Sequence, residues 1–384
     1  MQSRLHTQRV LWLSLAISLL VLLFGCAVMT AQHNPNLLVW LAQQLGAPAK
    51  AQAAPTTLRF AVIGDYGDGS AAEASVANLI KSWQPALIAT VGDNNYPAGS
   101  ATTIDTTIGQ YFHEYIYPYN GGYGTTEAGP NRFFPALGNH DWQAMDCGAI
   151  TCTGAYLDYF TLPGNERYYD FEQGPVHLFF VDSDPHEPDG RTSDSLQATW
   201  LHDQLAASTA VWNLVFMHHP PYSSGQLHGS TAEMQWPYAQ WGADAVLAGH
   251  DHTYERIMVD NFPYFVDGLG KEHRAFGTPV AGSVVRYNSG VGAMLVEASA
   301  VTITFQFMNV ANAVIDSYTL TNSVTPATPT VTATPTVTAT PTATVTPTVT
   351  PEATPPGGTG CNNTLALLPG TCPLKLYMPL ISRQ

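Results

Sequence analysis

A layered α/β core is what this sequence predicts, on three observations. Short apolar runs rich in β-branched and aromatic residues recur between residues 56 and 322, each ends in polar groups, and segments with helical spacing lie between some of them. In order the runs are LRFAVIGDYG, ALIATVGDNNY, RFFPALGNHDW, VHLFFVDSD, WNLVFMHHP and DAVLAGHDH. Apolar runs this continuous belong to strands buried on both faces. AEASVANLIKSW carries apolar positions at helical spacing, and SDSLQATWLHDQLAAS does the same behind a Ser/Asp cap signal. GAMLVEASAVTITFQFMN and AVIDSYTL read as strand pairs that complete a second sheet.

The chain has 384 residues, 45% of them hydrophobic, which is enough to bury a sizeable core. Lys and Arg number 14 against 29 Asp and Glu, a formal net charge of -15. That balance carries no basic footprint, so nucleic acid is excluded as a partner, and an anionic substrate has to be attracted by the site itself.

Residues 1–30 read as a signal peptide or a membrane or lipid anchor. Arg4 and Arg9 precede the apolar run VLWLSLAISLLVLLF, and the following LFGC resembles the lipobox of bacterial lipoproteins, with Cys26 as the residue to be lipidated. An uncleaved anchor, or cleavage near AQAAP where Ala51 and Ala53 fit the small-residue pattern, are the alternatives. Each places the chain outside the cytoplasm, secreted or held at the cell envelope through this N-terminal segment. Residues 31–55 are a connector, and 56–322 are the catalytic candidate. Residues 323–360, as in TPTVTATPTVTATPTATVTPTVTP, form a disordered, extended Thr/Pro stalk, and 361–384 a small tail. The five cysteines divide into Cys147 with Cys152, Cys361 with Cys372, and Cys26 left over, which suits an oxidising compartment.

In open α/β sheets ligands bind beyond the carboxyl ends of the strands. Five of those ends deliver Asp65, Asp93 with Tyr96, Asn139 with His140, His218 with His219, and His250 with His252. Histidines two apart on a strand face opposite ways, but in a tight loop after a glycine both rings can turn inward. Taken singly, each residue also fits an ordinary turn, cap or half-buried aromatic position. Together they supply oxygen and imidazole ligands for two borderline-hard cations. Trp142, Trp200, Trp212 and Trp241 read as core or rim packing, and Tyr254 and Arg256 of TYER as braces for the preceding loop.

GDYG (64–67), GDNNY (92–96), GNHD (138–141), VFMH (215–218) and GHDH (249–252) stand in the order found in the purple acid phosphatases, and the chain resembles that group of the calcineurin-like metallophosphoesterases. NERYYDFEQGPVHLFFVDSD and HPPYSSGQLHG look like its small, mammalian-type and bacterial branch. The resemblance implies a four-layer sandwich, two mixed β-sheets flanked by helices, with a binuclear metal centre at one edge. Asp65, Tyr96 and His252 would hold the first metal, Asn139, His218 and His250 the second, with Asp93 bridging. The first set suits Fe(III), whose phenolate bond colours the purple members, and the second suits Fe(II), Zn or Mn.

The activity so implied is hydrolysis of a small phosphate monoester under mildly acidic conditions by metal-bound hydroxide. His140 and His228 are the candidate proton donors to the leaving group. Asn139 and His219 would bind substrate, although His219 equally fits the turn before Pro220, and an exposed loop is the lesser alternative for His228. Asp141 is expected to orient His140. A phosphodiesterase or nucleotidase could use the same ligands, and a noncatalytic surface binding module on a stalk is the reading from another class.

Overall fold

The computed structural model describes residues 57–125, 129–148 and 151–322. The signal or anchor segment, the connector, the stalk, the tail and the Cys361 and Cys372 pairing lie outside the described residues. In chain order the elements are β1 (Thr57–Ile63), α1 (Ala71–Ser82), β2 (Leu87–Thr90), β3 (Phe133–Phe134), the helical turn α2 (Asn139–Trp142), β4 (Met145–Cys147), β5 (Cys152–Gly154), β6 (Tyr169–Gln173) and β7 (Val176–Phe180). Then come α3 (Leu196–Ala207), β8 (Trp212–Phe216), β9 (Ala245–Ala248), β10 (Tyr254–Val259), β11 (Phe262–Asp267), β12 (Ser283–Tyr287), β13 (Gly292–Ser299), β14 (Thr302–Asn309) and β15 (Val314–Thr321). Shorter helical turns join some of these.

One mixed sheet runs β15-β14-β13-β1-β2-β3 and the other β12-β10-β11-β9-β8-β7-β6. The β4–β5 hairpin stands apart and carries the Cys147–Cys152 disulfide. The C-terminal strands β13, β14 and β15 pair in sequence and complete the first of these sheets. β13 pairs antiparallel with β1, which pairs parallel with β2 on its other side. The physical reason is that β1 is buried and its second edge must find backbone partners. Periodicity marks a strand, but its partner is a non-local choice.

Alternation along the strands builds the layers. In β8, Trp212, Leu214 and Phe216 face the cluster shared by the two sheets, whereas Val215, and Met217 just past the strand, face a second cluster with Ala198, Leu201 and Leu205 of α3. α3 starts where the Ser195 side chain accepts from the Ala198 N–H, and α1 where Ser70 accepts from Glu73. Each large apolar side chain buried this way contributes about 1.5–3 kcal/mol. Across the sheets, Tyr254 stacks on Phe307 with centroids 4.2 Å apart, and Phe265 on Phe305 at 4.8 Å.

Tyr254 and Arg256 do not brace the loop before them. The Tyr254 hydroxyl donates to Asp316 Oδ2 at 2.8 Å and Arg256 Nε to the same oxygen at 2.7 Å, so both tie β10 to β15 in the other sheet. Trp142 and Trp212 are buried, while Trp200 and Trp241 are half-buried. Among the described residues no helix is long and apolar enough to cross a membrane.

Candidate metal centre

The two sheets meet where the strand ends deliver their polar residues. β1, β2 and the segment after β3 bring Asp65, Asp93, Tyr96 and Asn139, and β8 and β9 bring His218, His250 and His252. Asp65, Asp93 and His250 each follow a glycine and take left-handed backbone angles, with φ of 53°, 53° and 72°. Such turns cost roughly 1–3 kcal/mol each and persist where surrounding contacts hold them. Two glycines are required by close approach. A Cβ on Gly138 would meet the backbone nitrogen and Oδ1 of Asp93, and one on Gly92, itself at φ +88°, would meet the His218 ring at 2.7 Å.

Each carboxylate is held by a backbone N–H through one oxygen, which turns the other toward the side chains of the site. Asp65 Oδ2 accepts from the His250 N–H at 2.8 Å, and Asp93 Oδ1 from the His140 N–H at 2.8 Å. Asp65 Oδ1 lies 3.3 Å from Tyr96 Oη and 3.3 Å from His252 Nε2. Asp93 Oδ2 accepts from Tyr96 Oη at 2.9 Å and lies 3.4 Å from His218 Nε2. His218 Nδ1 meets the Val91 carbonyl at 2.9 Å; a carbonyl can only accept, so Nδ1 carries a hydrogen and Nε2 is the nitrogen that would offer a lone pair to a metal in place of its proton. Nε2 lies 3.1 Å from Asn139 Oδ1 and 3.1 Å from His250 Nδ1.

Two sets of electron-pair donors result, both touching Asp93 Oδ2. Asp65 Oδ1, Tyr96 Oη and His252 Nε2 form the first, and Asn139 Oδ1, His218 Nε2 and His250 Nδ1 the second. Ligand atoms about 2.0–2.2 Å from one cation sit roughly 3 Å from each other, which is the spacing found. Asp65, Asp93 and His218 offer ligand atoms that all lie within 4.8 Å of one another. The donor chemistry therefore fits a pair of cations, oxygen-rich in the first set and nitrogen-rich in the second.

The charges point the same way. Burial opposes protonation of His218, but the Asp93 carboxylate outweighs it and raises the imidazole to about 10. Burial likewise opposes the charge on Asp93, yet His218 and then His140 hold it below the usual carboxylate range. Burial, then positive charge on His218, keeps His250 neutral. In a protein without metal a proton on His218 thus does part of a cation's work. Burial, then the Asp65 and Asp93 charges, keep Tyr96 a phenol; only a strong cation would release its proton.

Three histidines surround the donors. The His140 ring lies 4.3 Å from that of Tyr96, and the His219 and His228 rings lie 4.3 Å and 4.0 Å from that of His250. All the residues expected to bind metal, protonate the leaving group or bind substrate are thus gathered at one place. Asp141 does not orient His140. Its buried carboxylate accepts from the backbone and side-chain nitrogens of Asn94 and from the Gly138 N–H, so it stiffens the loop that carries Asp93. His140 Nδ1 instead meets the Pro97 carbonyl.

Four further residues escape the sequence reading. The Ser183 hydroxyl accepts from the His218 and His219 backbone N–H groups and lies 3.0 Å from His219 Nδ1. Asp251 accepts from the His228 and Gly229 N–H groups and from the Ser223 hydroxyl, which fixes the loop bearing His228. Glu272 Oε1 lies 2.8 Å from His252 Nδ1, close enough for charge pairing but off the line of a hydrogen bond. Lys271 Nζ stands 4.0 Å above the Tyr96 ring. Ser183 had a signal in VDSD, where the fourth apolar run ends in polar residues, and Asp251 in GHDH; Glu272 and Lys271 had none.

Residues 58–254 match the family model described as calcineurin-like phosphoesterase. Purple acid phosphatase 23 of Arabidopsis thaliana is 27% identical over 252 residues, 57% of this chain and 52% of the relative, so the chain spans about half that protein's length. Tartrate-resistant acid phosphatase type 5 of Homo sapiens is 23% identical over 262 residues, 59% of this chain and 77% of the relative. A purple acid phosphatase from yellow lupin (Lupinus luteus) seeds superposes with a TM-score of 0.53 at 16% identity, covering 69% of this chain and 54% of that one. GAP50, described as the anchor in the inner membrane complex of Plasmodium, does so at 0.52 and 20% identity, covering 69% and 89%. These two superpositions show the fold alone.

Proposed function

The chain belongs to the calcineurin-like phosphoesterase family, and from that premise we propose that it is a phosphate monoester hydrolase of the acid phosphatase type with a binuclear metal centre. The observation that carries this reading is the position of Asp93 Oδ2, free of the backbone and shared by both donor sets. Asp65, Tyr96 and His252 would hold Fe(III), and Asn139, His218 and His250 would hold Fe(II), Zn or Mn. When bound, the metals supply Lewis acidity toward the phosphoryl oxygens and the attacking water.

The chain's own groups do the rest. Asn139 and His219 stand where a phosphate beside the second set would be received, and burial followed by the charge on His218 keeps His219 neutral. His140 and His228 flank Tyr96 and His250 within reach of an ester oxygen, and either could give the leaving group its proton. With residues 56–322 as the catalytic domain, the N-terminal segment would export it or hold it at the cell envelope, and the Thr/Pro stretch would set it apart from the tail.

A bis-ester hydrolase would use the same donors, and an anchor protein shares the fold. The full donor set favours a catalyst over a binding module, since a module has no use for two complete sets of converging donors. The deciding experiment loads the full chain with iron and zinc and follows a chromogenic monoester and the matching bis-ester under mildly acidic conditions. Chelator-sensitive turnover of the monoester supports the proposal. Faster turnover of the bis-ester moves it to a phosphodiesterase, and a metal-loaded chain inert to both overturns it.

A further inference from the structure

Beside the second donor set lies a cavity of about 700 Å³, large enough for a drug-sized group. Asn139 belongs to both and His219, whose ring lies 4.3 Å from that of His250, lines the cavity, so a phosphate received there has its ester oxygen next to this space. Trp142 and His186 also line it, rings inclined at 30° with centroids 6.0 Å apart, and the Trp142 indole is fixed by donation to Asp182 at 2.8 Å. Such rings suit a flat leaving group, and the indole attracts a cation.

The charge around the cavity is one-sided. None of its ten lining residues is Lys or Arg, whereas Asp146 and Asp184 are among them. Asp184 Oδ1 is occupied by His186, at 2.7 Å from Nδ1 and 2.9 Å from the backbone nitrogen, so that pair largely cancels when the imidazole is charged. Asp146 is exposed and forms no ion pair among the described residues. Lys271 over the Tyr96 ring and Arg274 on Glu272 lie at the other donor set, and the cation on this side, Arg191, donates to the Ser183 carbonyl behind His219 without lining the cavity.

Resting on the hydrolase reading above, we propose that this cavity is the leaving-group subsite and that it selects aryl phosphate monoesters bearing a positive charge over equally shaped esters bearing a carboxylate. Two probes isolate the charge: the phosphate of tyramine, and the phosphate of 3-(4-hydroxyphenyl)propanoate. Ring and ester are the same, and the ammonium or carboxylate is set off by two methylenes, which keeps the leaving phenols alike. Both are compared on the full metal-loaded chain by kcat/KM, and by calorimetric binding to the same protein. An exposed charge pair predicts a preference of about threefold to tenfold for the tyramine ester at low ionic strength, shrinking at about 0.5 M salt. Asp146→Lys should invert the ratio, and since both esters are read on one preparation, any unfolded fraction cancels. A ratio of one, or a ratio unchanged in Asp146→Lys, overturns the subsite. Absence of turnover counts against the hydrolase reading, and the binding ratio then still decides the subsite.

Discussion

Tyr96 Oη stands 2.9 Å from Asp93 Oδ2 and 3.3 Å from Asp65 Oδ1, so one buried phenol faces two buried carboxylates. That arrangement is unfavourable for a phenolate unless a multiply charged cation joins it. We predict that the iron-loaded protein shows a broad visible band and that Tyr96→Phe abolishes it. A band of equal strength in the variant would assign the colour to another ligand.

Asp93 serves both donor sets, so Asp93→Ala should lower the metal content below that of the parent and cost more than the roughly 100-fold typical of losing an outer partner. Metal analysis beside turnover checks this. Activity retained with full metal content would remove Asp93 from its bridging role.

The His228 loop hangs on the Asp251 carboxylate. If His228 protonates the leaving group, His228→Asn should slow an alkyl phosphate by about 10²-fold or more and a nitrophenyl phosphate far less. Asp251→Ala should reproduce that contrast in weaker form, because it frees the loop without removing the ring. Equal losses on both esters would point to a general structural effect.

Glu73 is buried, with Oε2 accepting from the Asp68 and Gly69 N–H groups and Oε1 left without a partner. Burial pushes its carboxyl up to about 8, from 4.5. Between those values the folded chain holds a proton that the unfolded chain has lost. The stabilisation is therefore full below 4.5 and is lost as pH rises toward 8, with a slope of at most about 1.4 kcal/mol per pH unit. Urea unfolding of the metal-free protein should show Glu73→Gln losing less stability than the parent between pH 5 and 8. Parallel pH profiles would refute this.

The parts of this site legible in the sequence are those that follow directly from a strand end. GD, GNH and GHDH place a polar side chain within a few residues of a buried apolar run, and the glycine explains itself once Gly138 and Gly92 are seen pressed against Asp93 and His218. Positions reached through space were not legible. Asp141 turns toward Asn94 because three N–H donors converge there, a fact of the folded loop and not of its neighbour in the chain. Glu272 and Lys271 arrive beside His252 and Tyr96 from the segment after β11, which no spacing rule connects to GHDH. The attachment of β13 to β1 was hidden for the same reason.

The donors are divided between the two sheets, and the aromatic layer between those sheets sets how far apart they stand. Phe265 on Phe305 and Tyr254 on Phe307 act as shims of fixed thickness. Protein interiors pack too densely to yield much without a penalty. Metal affinity in this chain is thus a property with a mechanical tolerance, and thinning a shim such as Phe305 should detune both metals at once while every ligand remains in the sequence.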